Sequence, residues 1–263
     1  MRSNSLRADL LLLLTAFIWG FAFVAQRMGM EYVGPYLFNA ARFALGCLPF
    51  LPFVAQNASG ALLPHLLRAA PGSLLAGLYV ILVPILGLAL GQQSGRTTSL
   101  GALVATTGLY LLSVEPPFSI AYGDALVLIG ALFWAGHVLI IGRFAQQIDW
   151  AALAFLQFLT CSLLSFGVAL AVKPVAWQPL VDAAWPVFYG GVLSVGVAYT
   201  LQVVAQRQAP ASHAAIILSL ETVFAALGGW WLLSEAMSLP GLSGCGLMFG
   251  GMLVSQLGGR RAD

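Results

Sequence analysis

Two charged side chains stand inside long apolar stretches of this chain, Arg42 within 35–55 and Glu221 within 213–234. A buried charge is costly unless it is paired, so such residues commonly serve a purpose. Arg42 predicts an anchor for a carboxylate or another anionic group, or else a structural arginine that reaches a helix end. Glu221 predicts a site for a cation or a proton, a partner for His213, or a structural hydrogen bond to a neighbouring helix.

A second set of candidates combines aromatic, amide and imidazole groups. His137 follows Trp134 by three residues, which places both on one helical face, although a lone histidine among apolar residues is more often a packing residue. Aromatic rings and glutamine amides can together line a pocket for an amphipathic solute, while each aromatic residue taken alone fits a core or lipid-facing position equally well. The candidate binding residues beyond Arg42, Glu221 and His137 are Trp19, Tyr79, Trp134, Gln157, Tyr199 and Gln202.

Catalytic signatures are weak. Gly241–Gly244 reads Gly-Leu-Ser-Gly, which resembles the motif of rhomboid-type intramembrane serine proteases. Such a serine needs a histidine, and here only His137 or His213 could serve, whereas a rhomboid histidine is expected after the serine. No HExxH, P-loop or GxGxxG pattern occurs, so ATP hydrolysis, zinc proteolysis and a bound cofactor are not predicted. The three isolated cysteines (Cys47, Cys161 and Cys245) indicate buried thiols rather than metal ligands.

Composition excludes a water-soluble protein. Hydrophobic residues make up 60% of the 263 positions and charged residues only 8%, far too few to cover a soluble surface. A net charge of +2 without a basic run gives no reason to expect nucleic acid. Arg2 and Arg7 precede a leucine run as in a signal peptide, but no cleavage site follows, so an uncleaved first membrane helix is predicted.

The apolar runs predict an all-α, polytopic transmembrane bundle of about nine helices. Crossing the hydrocarbon core takes about 20 apolar residues, and the runs are continuous rather than alternating, which argues against strands. The expected location is the cell membrane, with the bacterial inner membrane favoured and lipid as the surrounding partner. The predicted spans are 8–27, 35–55, 74–93, 99–115, 124–143, 150–172, 185–206, 213–234 and 240–258.

The chain also contains an internal repeat. Asp9 precedes Trp19 by ten residues, Asp124 precedes Trp134 by ten, and the flanking segments ADLLLLLTAFIWG and GDALVLIGALFWAG agree. Two halves, 1–115 and 120–258, are therefore predicted to be copies of one unit. Repeats of this kind are typical of transporters, which bind their substrate where the repeats meet, and this favours Trp19 and Trp134 among the candidates.

Five motifs follow one another along the chain: Trp19–Gly20 with Phe23–Val24, Gly34–Pro35, Ala41–Phe43, Gly77–Gly87 and Leu218–Glu235. Together they resemble the drug/metabolite transporter superfamily, EamA type, over essentially the whole chain. The resemblance implies ten helices in two inverted five-helix repeats and export of metabolites such as amino acids. The family usually has proline after the glutamate that matches Glu221, where this sequence has Thr222.

The first copy is shorter than the second by about one helix. Only 22 residues separate Val54 from Gly77, against 42 between the corresponding Val172 and Ala215, so four helices plus five are predicted. Nine spans would place the two chain ends on opposite sides of the membrane. The positive-inside rule, however, expects the loop arginines on the cytoplasmic side, and they all fall there only if the chain has ten spans. The open explanations are that 61–76 enters the membrane and returns, that nine spans are real, or that the chain is a shortened descendant that no longer transports.

The sequence thus predicts a transporter of small metabolites that works by alternating access and is not an enzyme. The alternatives are a transport-incompetent membrane protein with a structural role and, distantly, a rhomboid-like protease. A homodimer is plausible because four helices plus five leave an incomplete bundle. Two GxxxG patterns, Gly87–Gly91 and Gly246–Gly250, are weak indications of close helix packing.

Overall fold

The computed structural model describes residues 2–52, 96–113, 122–147, 149–172 and 176–259, without the side chains of 2–5, 122–132 and 257–259. Every regular element in these ranges is a helix, which confirms the predicted all-α bundle. The elements in chain order are α1 (Arg2–Met30), α2 (Pro35–Cys47, followed by a 3₁₀ turn Leu48–Phe50), α3 (Arg96–Ser113), α4 (Tyr122–Phe144), α5 (Trp150–Val172), α6 (Gln178–Asp182), α7 (Ala184–Phe188), a π-helix (Tyr189–Tyr199), α8 (Thr200–Gln206), α9 (Ala211–Leu218), α10 (Glu221–Leu232) and α11 (Leu239–Gly259).

Four stretches of the described chain are long and apolar enough to cross a membrane. They fold as helices because a helix satisfies its own backbone hydrogen bonds where no water is available. Their outer faces keep large apolar side chains exposed, such as Leu163 and Leu170 on α5, as expected where lipid covers the surface. The four stretches are Leu6–Met30, Trp150–Val172, Ala184–Gln206 and Ala211–Leu232.

Contacts between helices fix the direction of each one. We call the end of the bundle where α1 begins the near end and the other the far end. Thr15 of α1 contacts Ala198 and Trp19 contacts Ser194, so Ala184–Gln206 runs antiparallel to α1. Trp134 of α4 contacts Tyr199, and Val138 bonds Gln206, so α4 runs with that segment. The helices that begin the two predicted copies, α1 and α4, therefore run in opposite directions.

The remaining long helices follow from the same reasoning. Asp9 meets His213 while Gly20 packs on Phe224, so α9 and α10 run parallel to α1. His213 meets Ser255 and Thr222 meets Met248, so α11 returns towards the near end, and α3, antiparallel to it, begins there. The described chain thus has α1 beginning and α11 ending at the same end of the bundle.

This arrangement gathers positive charge at the near end, where exposed arginines belong to α1, α3, α4 and the turn before α9: Arg7, Arg96, Arg143 and Arg207. The positive-inside rule then predicts that the near end faces the cytoplasm. The explanation that placed the chain ends on opposite sides disagrees with these helix directions. The predicted span 74–93, segment 61–76 and the Gly87–Gly91 pattern lie outside the described residues.

Helices α3 and α11 form a seam in which glycines meet glycines. A β-carbon on Gly101 would lie 2.5 Å from the carbonyl oxygen of Gly251, and one on Gly108 would lie 2.5 Å from that of Gly244. These backbones approach so closely only because the side chains are absent. The predicted Gly246–Gly250 pattern was wrong as a packing site within the described chain, because both positions face open space there.

Two membrane helices are irregular at mid-length. Tyr189–Tyr199 is π-helical, and the stretch Ala211–Leu232 breaks at Ser219–Leu220 before α10 begins at Glu221. The break persists although Thr222 stands where the family usually has proline. The Thr222 amide and hydroxyl both donate to the Ser219 carbonyl, at 3.2 and 2.8 Å, which satisfies the donors at the interruption.

Candidate functional site

An aromatic group lies where α1, α4 and the π-helix meet. The ring of Trp19 is 5.1 Å from that of Trp134 and 4.7 Å from that of Tyr199, measured between ring centroids. His137 stacks on Trp134 at 4.8 Å. Tyr199 also contacts Phe43 and Phe158, at 5.8 and 6.0 Å. The structure therefore brings four of the predicted residues, Trp19, Trp134, His137 and Tyr199, into one group.

The position of Trp19 is fixed by the π-helix. Its indole nitrogen Nε1 donates to the carbonyl oxygen of Ser194 at 3.1 Å. One turn earlier on α1, the Thr15 hydroxyl is 3.3 Å from the Ala198 carbonyl and 2.9 Å from that of Leu11. A buried indole needs an acceptor for its N–H, and here the irregular helix provides one, so α1 and the π-helix are connected at this level.

Two predicted glutamines are buried on the helices that pack around these rings. Gln202 on α8 is fully buried and Gln157 on α5 is 7% exposed. Phe158 meets Tyr199, so the preceding residue, Gln157, lies near the level of Tyr199. Within the residues described, neither amide nitrogen nor amide oxygen of either side chain has a hydrogen-bond partner. Buried polar atoms without partners are rare in native proteins.

Arg42 lies on α2, one turn beyond Phe38. Its Nε donates to Oδ1 of Asn39 at 2.9 Å, and Asn39 in turn donates to the Ser165 hydroxyl at 2.9 Å. The guanidinium carbon lies 5.1 Å from the centroid of the Phe43 ring, within cation–π range. In the described part of the chain no carboxylate forms an ion pair with Arg42.

Glu221 begins α10, directly after the break in that membrane helix. A carboxylate in the first turn of a helix is favoured by the helix dipole. Tyr199 lies within electrostatic range of both Glu221 and Arg42. A cation and an acidic residue therefore both lie near Tyr199 of the aromatic group. Tyr79, the remaining predicted residue, lies outside the described residues. We call Trp19, Arg42, Trp134, His137, Gln157, Tyr199, Gln202 and Glu221 the central cluster.

The sequence analysis missed a second polar group, at the near end. Nε2 of His213 lies 2.8 Å from Oδ1 of Asp9, and its Nδ1 lies 2.8 Å from the Ser255 hydroxyl. The suggested pairing of His213 with Glu221 was wrong in this respect, because both ring nitrogens meet other groups. The sequence signal that could have revealed this polar group was Asp9, which marks the internal repeat and stands at the edge of an apolar run. We call Asp9, His213 and Ser255 the near-end triad.

The protease motif is not assembled among the described residues. Ser243 is exposed near the start of α11, His213 is engaged by the near-end triad, and His137 stacks on Trp134. The triad has the residue types of a serine hydrolase, but the peptide N–H groups around Ser255 belong to helix α11. They are bonded along the helix and do not form an oxyanion hole.

Comparison with known proteins gives one consistent result. The profile of the EamA-like transporter family matches residues 6–64 and 121–256. An uncharacterized transporter of Archaeoglobus fulgidus is 31% identical, with 89% of this chain and 80% of that protein covered. The uncharacterized transporter YoaV of Bacillus subtilis is 24% identical, with 90% and 92% covered. A solved crystal structure, described only as that of a protein, matches with a TM-score of 0.79 over 97% of this chain and 98% of the other, at 19% identity, which shows the fold alone.

Proposed function

This chain belongs to the EamA-like transporter family, and on that premise we propose that it moves small amphipathic metabolites, amino acids foremost, through the central cluster by alternating access. Its relatives are named as transporters, and its long apolar helices make it a multi-pass membrane protein. The names of these two relatives give no substrate, so the substrate class rests on the residues of the cluster.

The observation that carries this proposal is the pair of buried glutamines. A buried amide without a partner costs about 1–3 kcal/mol, and this chain carries two of them close to one aromatic group, counting partners within its described part. That cost is explained if a polar solute supplies the missing hydrogen bonds. Amides suit this task because they donate and accept at once.

The charges around the cluster fit a zwitterion. Arg42 offers a guanidinium, with Asn39 orienting its Nε, and it suits a carboxylate because arginine binds carboxylates through paired donors. Glu221 also lies near Tyr199 and suits an ammonium group. The rings of Trp19, Trp134 and Tyr199 would contact an apolar side chain. The sequence also allows a structural role for both charges, which the variant Arg42→Gln distinguishes for the arginine.

The irregular helices support movement at this level. Broken membrane helices near the bilayer midplane are a recurring feature of transporter binding sites, and Glu221 stands at such a break. The opposite directions of α1 and α4 fit two inverted units that rock against each other. The motifs for ATP use are absent from the sequence, so the drive is the solute's own gradient or the proton gradient. We place the protein in the bacterial inner membrane with the near end towards the cytoplasm; the predicted homodimer stays a prediction.

The first test replaces one amide by an apolar group. In liposomes preloaded with unlabelled amino acids, we expect the native protein to exchange at least one of a panel of radiolabelled L-amino acids. Gln202→Leu is expected to lower that exchange at least about tenfold, because one lost hydrogen bond to substrate costs about 1.4 kcal/mol. Its thermal midpoint should stay unchanged or rise, because the buried unpaired amide is removed.

The matched control is Gln208→Leu, at an exposed glutamine in the turn before α9, which should leave exchange unchanged. A fall in the thermal midpoint of Gln202→Leu, with exchange retained, would show that the amide is structural. No exchange of any amino acid by the native protein would refute the proposed substrate class.

A further inference from the structure

The near-end triad joins three membrane helices with a titratable group. Asp9 lies on α1, His213 on α9 and Ser255 on α11. The side chains of His213 and Asp9 are 13% and 14% exposed, and Ser255 is 1% exposed. The triad therefore lies close to water at the near end without being immersed in it. Each helix it joins also contributes to the main core cluster.

The two bonds of His213 remain satisfied in both protonation states of its ring. An ionised Asp9 only accepts hydrogen bonds, so Nε2 carries a hydrogen in either state. When the ring is neutral, Nδ1 accepts the Ser255 hydroxyl hydrogen; when a proton binds Nδ1, the hydroxyl rotates and accepts instead. The site thus takes up or returns one proton to water, forming or breaking one N–H bond, while both ring nitrogens stay hydrogen-bonded.

Protonation of His213 changes how strongly α1, α9 and α11 are held together. With His213 charged, α1 and α9 are held by an ion pair and α11 by a charge-assisted hydrogen bond, which is about twice as strong as a neutral one. Asp9 is the charged group that the described helices bring against His213; α11 presents Ser255, and α3 presents the apolar Ala102 and Ala105 of the same core cluster. The other described charges at this end are exposed: Arg7, Arg96, Arg143, Asp149 and Arg207.

At the far end, the described residues of α1 and of the segment after α10 form an ion pair of a different kind. There Arg27 of α1 pairs with Glu235, just after α10. Those side chains are 66% and 47% exposed, so solvent screens the pair and it contributes little. Arginine also stays charged throughout the physiological range, whereas imidazole exchanges its proton between about pH 5 and 8. Of these two described ion pairs, the near-end one therefore includes the side chain that can exchange a proton.

We propose that Asp9, His213 and Ser255 form a proton-binding site that couples transport to the proton gradient: a bound proton holds α1, α9 and α11 together and closes the near end, and its release lets that end open. This inference rests on the proposed function for its role in transport, but the proton site and the movement it controls can be measured without any substrate.

The test follows the width of the near end with two spin labels. Cysteines replace the exposed Arg7 on α1 and Gln208 just before α9, in a protein whose Cys47, Cys161 and Cys245 are changed to serine. Electron–electron distances in lipid nanodiscs are compared at about pH 5.5 and about pH 8.5, on either side of imidazole titration. We expect the longer-distance population to grow at the higher pH.

Three variants make the result specific. His213→Gln keeps hydrogen bonding but cannot gain a charge, so the distances should no longer depend on pH. Ser255→Ala removes the acceptor of the bound proton, so the midpoint of the change should move to lower pH by about one unit. Arg27→Gln breaks the far-end pair as a matched control and should leave the pH response intact.

The two proposals fail separately. Distances that do not change with pH in the native protein, or that change equally in His213→Gln, overturn the proton site whatever the transport assay gives. A pH response confined to proteins with His213, combined with no amino acid exchange, supports the proton site and refutes the proposed substrate class. If both hold, an inward-directed and an outward-directed pH gradient should drive accumulation of the exchanged amino acid in opposite senses in the native protein, and neither should do so in His213→Gln.

Discussion

The α3–α11 seam and the central cluster show two opposite ways of filling the interior of the same bundle. In the seam, backbone lies against backbone, and glycines at 101, 108, 244 and 251 leave no room even for a β-carbon. In the central cluster, the rings are spaced 4.7 to 6.0 Å apart, and the amides of Gln157 and Gln202 lack partners within the described chain.

The difference indicates which part of the bundle is fixed and which part changes. Membrane helices lack a hydrophobic drive to associate, so close backbone packing provides much of their attraction. The α3–α11 seam shows such close packing along two helical turns. Unpaired amides give no such stability. We infer that α3 and α11 move as one body and that the changes of the transport cycle occur where α1, α4, α5 and the π-helix meet.

The largest effect is expected from breaking the seam. Gly101→Leu places a side chain where a β-carbon alone would lie 2.5 Å from the Gly251 carbonyl and 2.9 Å from Ser255. Both neighbours are held by helix α11, so the two helices must separate; overpacking of this kind costs about 1–3 kcal/mol or more. We expect loss of the monodisperse peak in detergent or a thermal midpoint lower by several degrees.

Gly246→Leu and Gly250→Leu on α11 are the controls, because both positions face open space within the described chain. They should express and melt like the native protein. Equal damage at Gly246 and Gly101 would mean that the described seam is not what holds these helices together.

A smaller effect is expected from removing one charge of the central cluster. Arg42→Gln can still donate to Asn39 but loses the guanidinium, and hydrogen bonds to charged groups are worth about 1.5–3 kcal/mol. We expect the concentration for half-maximal exchange to rise about 10- to 100-fold while the thermal midpoint moves little. The exposed Arg143→Gln serves as the matched control. Unchanged exchange in Arg42→Gln would identify Arg42 as structural.

The smallest effect is expected at Thr222. This residue contacts Met248 of α11 and so lies between the α3–α11 seam and the central cluster. Thr222→Pro restores the residue usual in the family. Thr222 is the second residue of α10, and its amide donates only to the Ser219 carbonyl in the preceding turn. Proline is tolerated in the first turn of a helix. We expect the unfolding free energy to change by less than about 1 kcal/mol.

Phe224→Pro, two residues further, is the comparison for that variant. The Phe224 amide donates to the Leu220 carbonyl at 3.0 Å, so proline there removes a helical hydrogen bond and costs about 3 kcal/mol. Similar losses for the two proline variants would argue against a break at Ser219–Leu220.

The helices and the aromatic group were predictable because each depends on local or repeated signals. Long apolar runs become helices in lipid, and Trp19 and Trp134 stand at equal positions after Asp9 and Asp124. Their meeting at 5.1 Å follows if similar helices of two copies face each other. The boundaries of the two copies, 1–115 and 120–258, stay a prediction.

The near-end triad and the seam were not predictable, because their partners are far apart in sequence. His213 lies 204 residues from Asp9 and 42 from Ser255, and no periodicity joins them. Spacing shows which glycines share a helix face but not which face meets a neighbour. Gly246 and Gly250 have the expected spacing of four, yet the packed glycines are seven apart on both helices, Gly101 with Gly108 and Gly244 with Gly251.

A π-helix occupies Tyr189–Tyr199, directly before α8. A π-helix closes its hydrogen bonds over one residue more than an α-helix does. If that surplus residue passes along the helix, every side chain beyond it turns by about 100°, the angle that one α-helical residue covers. Gln202 follows this turn on α8 and Trp19 bonds to its Ser194 carbonyl, so a single change of register would rotate the amide away from the rings while the helix stays hydrogen-bonded throughout.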